Sequence, residues 1–357
     1  MQRILVLLFF CLPLAAAAQQ TVIKSDDSHI HYVGRIAVNE DAAELTWTGA
    51  AVKINFNGTG VSAILKDERG ENTFNVIVDN KVVTVIHPDS SKQSYTLVSN
   101  LPAGNHSLEL FKRTEWAMGK TWFYGFSLEE NTSILEAPAT QKRKIEFYGN
   151  SITCGYAVED TTGKDRGTAP YENGYISYAA ITARHFDAEY YAIVKSGIGV
   201  MVSWFPLIMP EMYDRLDPND ANSKWDFSRY TPDVVVINLF QNDAWLVMKP
   251  EYEQFKARFG DKAPDAEQII TAYRNFVASI RTKYPKAAII CALGNMDAAK
   301  EDAPWYSYIQ KAAAGLKDKR IYTHSFGFKG TGGHPSAAEQ EAMSEDLIHF
   351  IDHEIKW

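Results

Sequence analysis

Residues 232–240 read PDVVVINLF, a strand-like run in which Val234 to Ile237 contains no polar residue. A strand with alternating polar residues can leave one face in water, but an unbroken β-branched run has to be covered on both faces. A parallel sheet between two helical layers meets that demand, and the neighbouring sequence supplies the helices. Ile269, Ile270, Tyr273, Phe276, Val277 and Ile280 fall on one helical face, and a shorter helix is expected near residues 176–185. IEFY at 145–148, EYYAIVKSG and AAIICALG read as further strands of the same sheet. Residues 145–357 are therefore expected to form a three-layer α/β domain with a mainly parallel sheet, whose ligands gather at the carboxyl ends of the strands.

The first part of the chain has a period of two. Val52, Ile54 and Phe56 alternate with Lys53, Asn55 and Asn57, and Phe74, Val76 and Val78 run into Asp79-Asn80, a hairpin signal. Many short strands without a helical period predict an N-terminal all-β sandwich over residues 19–130. The polar, proline-bearing stretch 131–144 reads as a linker. Before the sandwich, one early Arg3, an apolar run and Ala15 to Ala18 have the pattern of a secretory signal peptide over residues 1–18, so the protein is expected to be exported, to the periplasm or beyond.

With 36 basic and 44 acidic residues and a net charge of −8, the chain has no basic run for nucleic acid or an anionic membrane surface. No obligate protein partner is evident. Cys154 and Cys291, the two cysteines outside the leader, read as buried thiols, with a single disulfide as the alternative. No residue spacing suggests a metal or a cofactor.

The distinctive residues lie in four loops at one edge of the α/β domain. Gly149-Asn150-Ser151 follows the first strand, Ser196-Gly197-Ile198-Gly199 the second, and Gln241-Asn242-Asp243 the third. His334 precedes Pro335 near the end of the chain. Each has an ordinary structural role open to it: Ser151 or Asn242 as a helix cap, Gly197 in a turn, His334 as a structural histidine. Proline after His334 favours an extended backbone there, and Ser336 with Glu339 forms a capping box that starts the last helix and fixes the corner. Together the loops supply an acyl-transfer set: Ser151 as nucleophile, His334 as general base, and the amides of Ser151, Gly197 and Asn242 as an oxyanion hole. Trp245, beside Asn242, and Trp305, in APWYSY, are candidate sugar platforms.

The order Gly-Asn-Ser, Gly, Asn-Asp and late His-Pro resembles the SGNH (GDSL-type) hydrolases. GNSITCGY behind a β-sandwich is similar to carbohydrate esterase family 2, whose members join a jelly-roll domain to an SGNH domain and deacetylate xylan and other plant polysaccharides. The resemblance implies a serine esterase acting on an acetylated polysaccharide or oligosaccharide. Two positions depart from the pattern. Phe240 stands where SGNH enzymes usually carry glycine, which suggests a bulkier pocket wall. Thr331 and Gly332 occupy the positions that hold the histidine's carboxylate, which predicts a Ser151–His334 dyad oriented by a backbone carbonyl; an acid from Asp297, Glu301 or Asp302 is the rival. Two further functions stay open: a carbohydrate-binding protein with an inactive SGNH domain, and an esterase for a lipid, thioester or feruloyl group.

Overall fold

The computed structural model describes residues 21–357, so the expected leader lies outside the described residues. The first half forms two six-stranded antiparallel sheets packed face to face. Strand Ala51–Asn57 shows why: Val52, Ile54 and Phe56 are buried between the sheets while Lys53, Asn55 and Asn57 reach toward solvent. It pairs with Asn105–Lys112, which sets Ile54 opposite Leu108. The hairpin Phe74–Val78/Lys81–Ile86 turns at Asp79 and Asn80, both with positive φ (49° and 64°), as a primed two-residue turn requires. Ser133–Ile134 adds an edge strand to the sandwich, beside Ala51–Asn57, and the next strand opens at Arg143.

The second half is built on five parallel strands: β1 Arg143–Gly149, β2 Ala188–Val194, β3 Val234–Asn238, β4 Ala288–Leu293 and β5 Ile321–Ser325. Their order across the sheet is β2-β1-β3-β4-β5. β3, the PDVVVINLF run, is central and buried at every residue. The helices used below are α1 Ser151–Cys154, α2 Tyr178–His185, α3 Gln241–Leu246, α4 Ala266–Lys283, α5 Trp305–Gly315 and α6 Ala337–Glu354. α2 packs with α6 and α4 with α5; right-handed crossovers put the two pairs on opposite faces of the sheet. Because the strand order reverses at β1, the loops after β1, β2 and β3 converge on one crevice.

The sandwich is joined to the α/β domain by core-like packing. Val33, Trp47 and Phe111 belong to the same apolar cluster as β1 and β2. Arg35, buried, donates to Glu146 Oε1 at 2.9 Å and the Tyr148 hydroxyl at 3.1 Å, and Trp47 Nε1 donates to the Leu216 carbonyl at 2.7 Å. Cys154 and Cys291 are both buried and unbonded to each other. Among the described residues, no helix is long and apolar enough to cross a membrane.

Candidate active site

At the end of β1 the chain turns directly into α1. Asn150, not Ser151, caps it: the Asn150 side chain accepts from the Ile152 amide at 3.1 Å. The capping role open to Ser151 is thereby filled by its neighbour, and the Ser151 hydroxyl is left for other work. Ser151 is 5% exposed, and with Nδ1 of His334 donating to a carboxylate the Ser151 hydroxyl donates to His334 Nε2 at 2.8 Å.

His334 arrives from the other end of the domain. Ser336 caps α6 through a reciprocal box with Glu339, as the sequence predicts, and so fixes the corner that carries the imidazole. Tyr156 lies over the imidazole, ring centroids 4.3 Å apart.

The expected dyad is corrected here. His334 Nδ1 lies 2.9 Å from both carboxylate oxygens of Asp165, and the His334 backbone amide donates to the same carboxylate at 2.9 Å. Ser151, His334 and Asp165 therefore form one hydrogen-bonded chain. The hydrogen bond from His334 holds the Asp165 carboxyl below its ordinary value of 3.8, against the opposing effect of burial. Asp165 sits at φ +56° in a tight loop closed by Arg166, whose Nε and Nη2 grip Asp160 at 3.0 and 2.7 Å. The rival acids do other work or lie apart from the imidazole. Asp297 accepts from Trp245 Nε1 at 3.0 Å and pairs with Lys300 at 2.7 Å, and neither Glu301 nor Asp302 bonds His334. No spacing in the sequence links Asp165 to a histidine 169 positions away; an Asp in an aperiodic loop carries no signal of its own.

The second loop bears Gly197 at φ +82°, a conformation that favours glycine, and a Cβ there would stand 3.1 Å from the Phe205 ring. Among the described residues, neither the Ser151 nor the Gly197 amide donates to a protein acceptor, so both are available to a bound oxyanion. The following residues are clasped by Asp243, whose buried carboxylate accepts from the amides of Val200, Met201 and Val202 at 2.7 to 3.2 Å. Burial pushes the Asp243 carboxyl up to about 6, with those amides opposing the shift.

Asn242 is the second residue of α3, so it does not cap that helix; Phe240 holds the cap position. The Asn242 amide nitrogen donates to the Ile198 carbonyl at 2.8 Å and its carbonyl accepts from Trp204 Nε1 at 3.1 Å. One amide hydrogen remains. Trp204, which the sequence reading passed over, thus fixes which end of the side chain is nitrogen.

Phe240 and Trp305 correct two further expectations. Phe240 adopts a left-handed conformation, φ +78°, and its ring turns into the core against Tyr273 (4.6 Å) and Trp305 (5.1 Å). It does not line the cleft. Trp305, the first residue of α5, is 7% exposed and packs into the same cluster, so it offers no face to a sugar. Trp245 does line the cleft, beside Asn242. The cleft is about 380 Å³, open to solvent, and Ser151, His334, Gly197, Asn242, Trp204 and Trp245 are among the residues that line it. Among the described residues no group of three or more His, Cys, Asp or Glu side chains is placed to hold a metal ion.

Both halves of the chain are similar to known proteins. Residues 32–138 match the model of the carbohydrate esterase 2 N-terminal domain, and residues 147–349 that of the GDSL-like lipase/acylhydrolase family. The cellulase/esterase CelE of Acetivibrio thermocellus is 36% identical over 344 residues, covering 93% of this chain and 40% of the relative, so the chain spans less than half of that protein. An acetylxylan esterase/glucomannan deacetylase of Cellvibrio japonicus is 27% identical, covering 94% of this chain and 91% of the relative. A family two carbohydrate esterase from Clostridium thermocellum, solved with cellohexaose, superposes with a TM-score of 0.81 at 35% identity, covering 91% of this chain and 99% of that one.

Proposed function

The chain belongs to the GDSL-like acylhydrolases and, among them, to the family 2 carbohydrate esterases, and on that premise we propose that it is an exported serine esterase removing O-acetyl groups from plant-type polysaccharides or oligosaccharides. The observation that carries the reading is the Ser151–His334–Asp165 chain, whose serine and histidine line an open cleft. In this reading Ser151 Oγ attacks the acetyl carbonyl while His334 Nε2 takes its proton. The carbonyl oxygen becomes negative and is stabilised by the amides of Ser151 and Gly197 and the remaining N–H of Asn242. The tetrahedral intermediate collapses as His334 returns the proton to the departing sugar oxygen, leaving acetyl on Ser151. Water activated by the same imidazole then releases acetate. Asp165, held ionised, keeps the imidazole in the tautomer whose Nε2 accepts and balances the imidazolium charge.

A small acyl group suits the space. Phe205 and Trp204 come within 3.1 and 3.4 Å of where a single methyl on Gly197 would lie, which leaves little room beside the oxyanion loop for a long chain. The open side of the cleft, with Trp204 and Trp245, suits a sugar. The test is hydrolysis of acetyl, butyryl and octanoyl esters of one chromophore, with acetate release from acetylated xylan measured alongside. Acetyl preference with acetate release supports the reading; preference for octanoyl, or activity surviving in Ser151→Ala, overturns it.

A further inference from the structure

Resting on that esterase reading, we propose that the β-sandwich supplies a working part of the catalytic centre: its segment Arg113–Trp116 is a clamp between the loop that carries Asp165 and the loop that carries Gly197. The segment leaves the sandwich immediately after strand Asn105–Lys112 and enters the crevice. Arg113 ion-pairs with Glu159 through Nη2, and its carbonyl accepts from the Gly174 amide at 2.8 Å. Glu159 in turn accepts from Asn173 Nδ2 at 2.7 Å. Glu159 precedes Asp160, the residue gripped by Arg166 to close the Asp165 turn, so Arg113 anchors the stem of the acid loop.

Two residues later Glu115 reaches the other loop. Its Oε2 accepts from the Ser196 amide at 2.8 Å, one residue before Gly197. Trp116 adds a second hold on the same loop, with the Lys195 ammonium 3.8 Å above its ring centroid. Glu115, Ala117 and Met118 also form part of the cleft wall.

The clamp is itself fixed from behind. Glu172 Oε1 accepts from the Glu115 amide, and Lys112 Nζ donates to the Thr114 carbonyl at 2.8 Å. Lys112, Arg113, Glu115 and Glu172 are all buried. Burial drives the Glu172 carboxyl well up, and it lowers the Lys112 ammonium to about 8. Four ionisable side chains at a domain junction cost more than apolar packing of the same volume would. Adhesion between the domains is already provided by Arg35 and Trp47 elsewhere. What this cluster adds is geometry, because a displacement of about 1 Å in a catalytic loop can cost roughly 10² in rate.

Glu115 and Arg113 are positioning residues here, and the test separates positioning from adhesion. Steady-state kinetics on a small acetyl ester should show Glu115→Ala losing about 10- to 100-fold in kcat with KM changed less than about twofold. Glu115→Gln keeps an oxygen for the Ser196 amide and should recover most of the loss. Arg113→Met should lower kcat in the wild-type background but have little further effect in Asp165→Asn, since it acts through that acid; Glu115→Ala should retain its effect there. Melting temperatures identify any loss due to unfolding. A wild type that cleaves no ester overturns the esterase reading itself. An active wild type in which Glu115→Gln is as impaired as Glu115→Ala, or in which all losses follow the unfolded fraction, overturns the clamp alone.

Discussion

His334 Nδ1 and the carboxylate of Asp165 lie 2.9 Å apart although 169 positions separate the two residues in the chain. Replacing Asp165 by Asn keeps the shape but removes the charge that balances the imidazolium and permits the wrong tautomer. Asp165→Asn should lower kcat by up to about 10⁴, with KM for a small ester little changed. Alanine at Asp297, Glu301 or Asp302 should leave kcat within a few fold. A large loss at any of those three, with Asp165→Asn near wild type, would return the acid to the β4–α5 loop.

The same pair sets a pH dependence of stability. Asp165 has a folded-state pKa below its ordinary 3.8, so it stabilises the fold fully above that value, and the contribution disappears as pH falls through the lower folded value. Wild type should therefore exceed Asp165→Asn in denaturant midpoint near neutral pH, and the gap should shrink as the pH falls below the ordinary carboxylate range. A gap that widens on acidification would contradict the assignment.

Trp204 donates its indole hydrogen to Asn242 at 3.1 Å, which predicts a measurable effect without loss of the ring. Trp204→Phe should reduce kcat by about 3- to 10-fold, the worth of one hydrogen bond. Asn242→Ala should cost roughly 10²–10³. If the indole acts through the amide, the double variant is no worse than Asn242→Ala; additive losses would assign Trp204 a separate role.

The two tryptophans proposed from sequence should part company. Trp305→Ala opens a core cavity and should destabilise by about 3–5 kcal/mol, with kinetics of the remaining folded protein near normal. Trp245→Ala should raise KM for an acetylated oligosaccharide while leaving a small chromogenic ester almost unaffected. Equal effects on both substrates would remove Trp245 from sugar contact.

What could be read from the sequence was whatever leaves a local pattern. PDVVVINLF announces a buried central strand through its composition, and the alternation of Val52 to Asn57 announces a half-buried one. His334 is marked by Pro335 and the Ser336–Glu339 box. Asp165 leaves no such trace, because its pairing with His334 exists only once the loop between α1 and α2 meets the loop before α6. The direction of Phe240 depends on a positive φ that residue type argues against, and Trp305 at a helix start looks alike whether it faces solvent or core. Ser133–Ile134 is too short to show a period, so a polar stretch concealed an edge strand.

The last helix does more than hold a loop. Gln340, fully buried in α6, donates to the Ile152 carbonyl at 2.9 Å and accepts from the Tyr178 amide at 2.8 Å, so α6 is stitched to the helices at both ends of the nucleophile's neighbourhood. A nascent chain carries Ser151 long before it carries the imidazole and the helix that seats it. Throughout synthesis, and through any translocation in an unfolded state, such a chain holds a nucleophile without a base. Clipping by a protease back past His334 would remove the base together with α6 and return the chain to that silent condition, with all five parallel strands still in the remaining sequence.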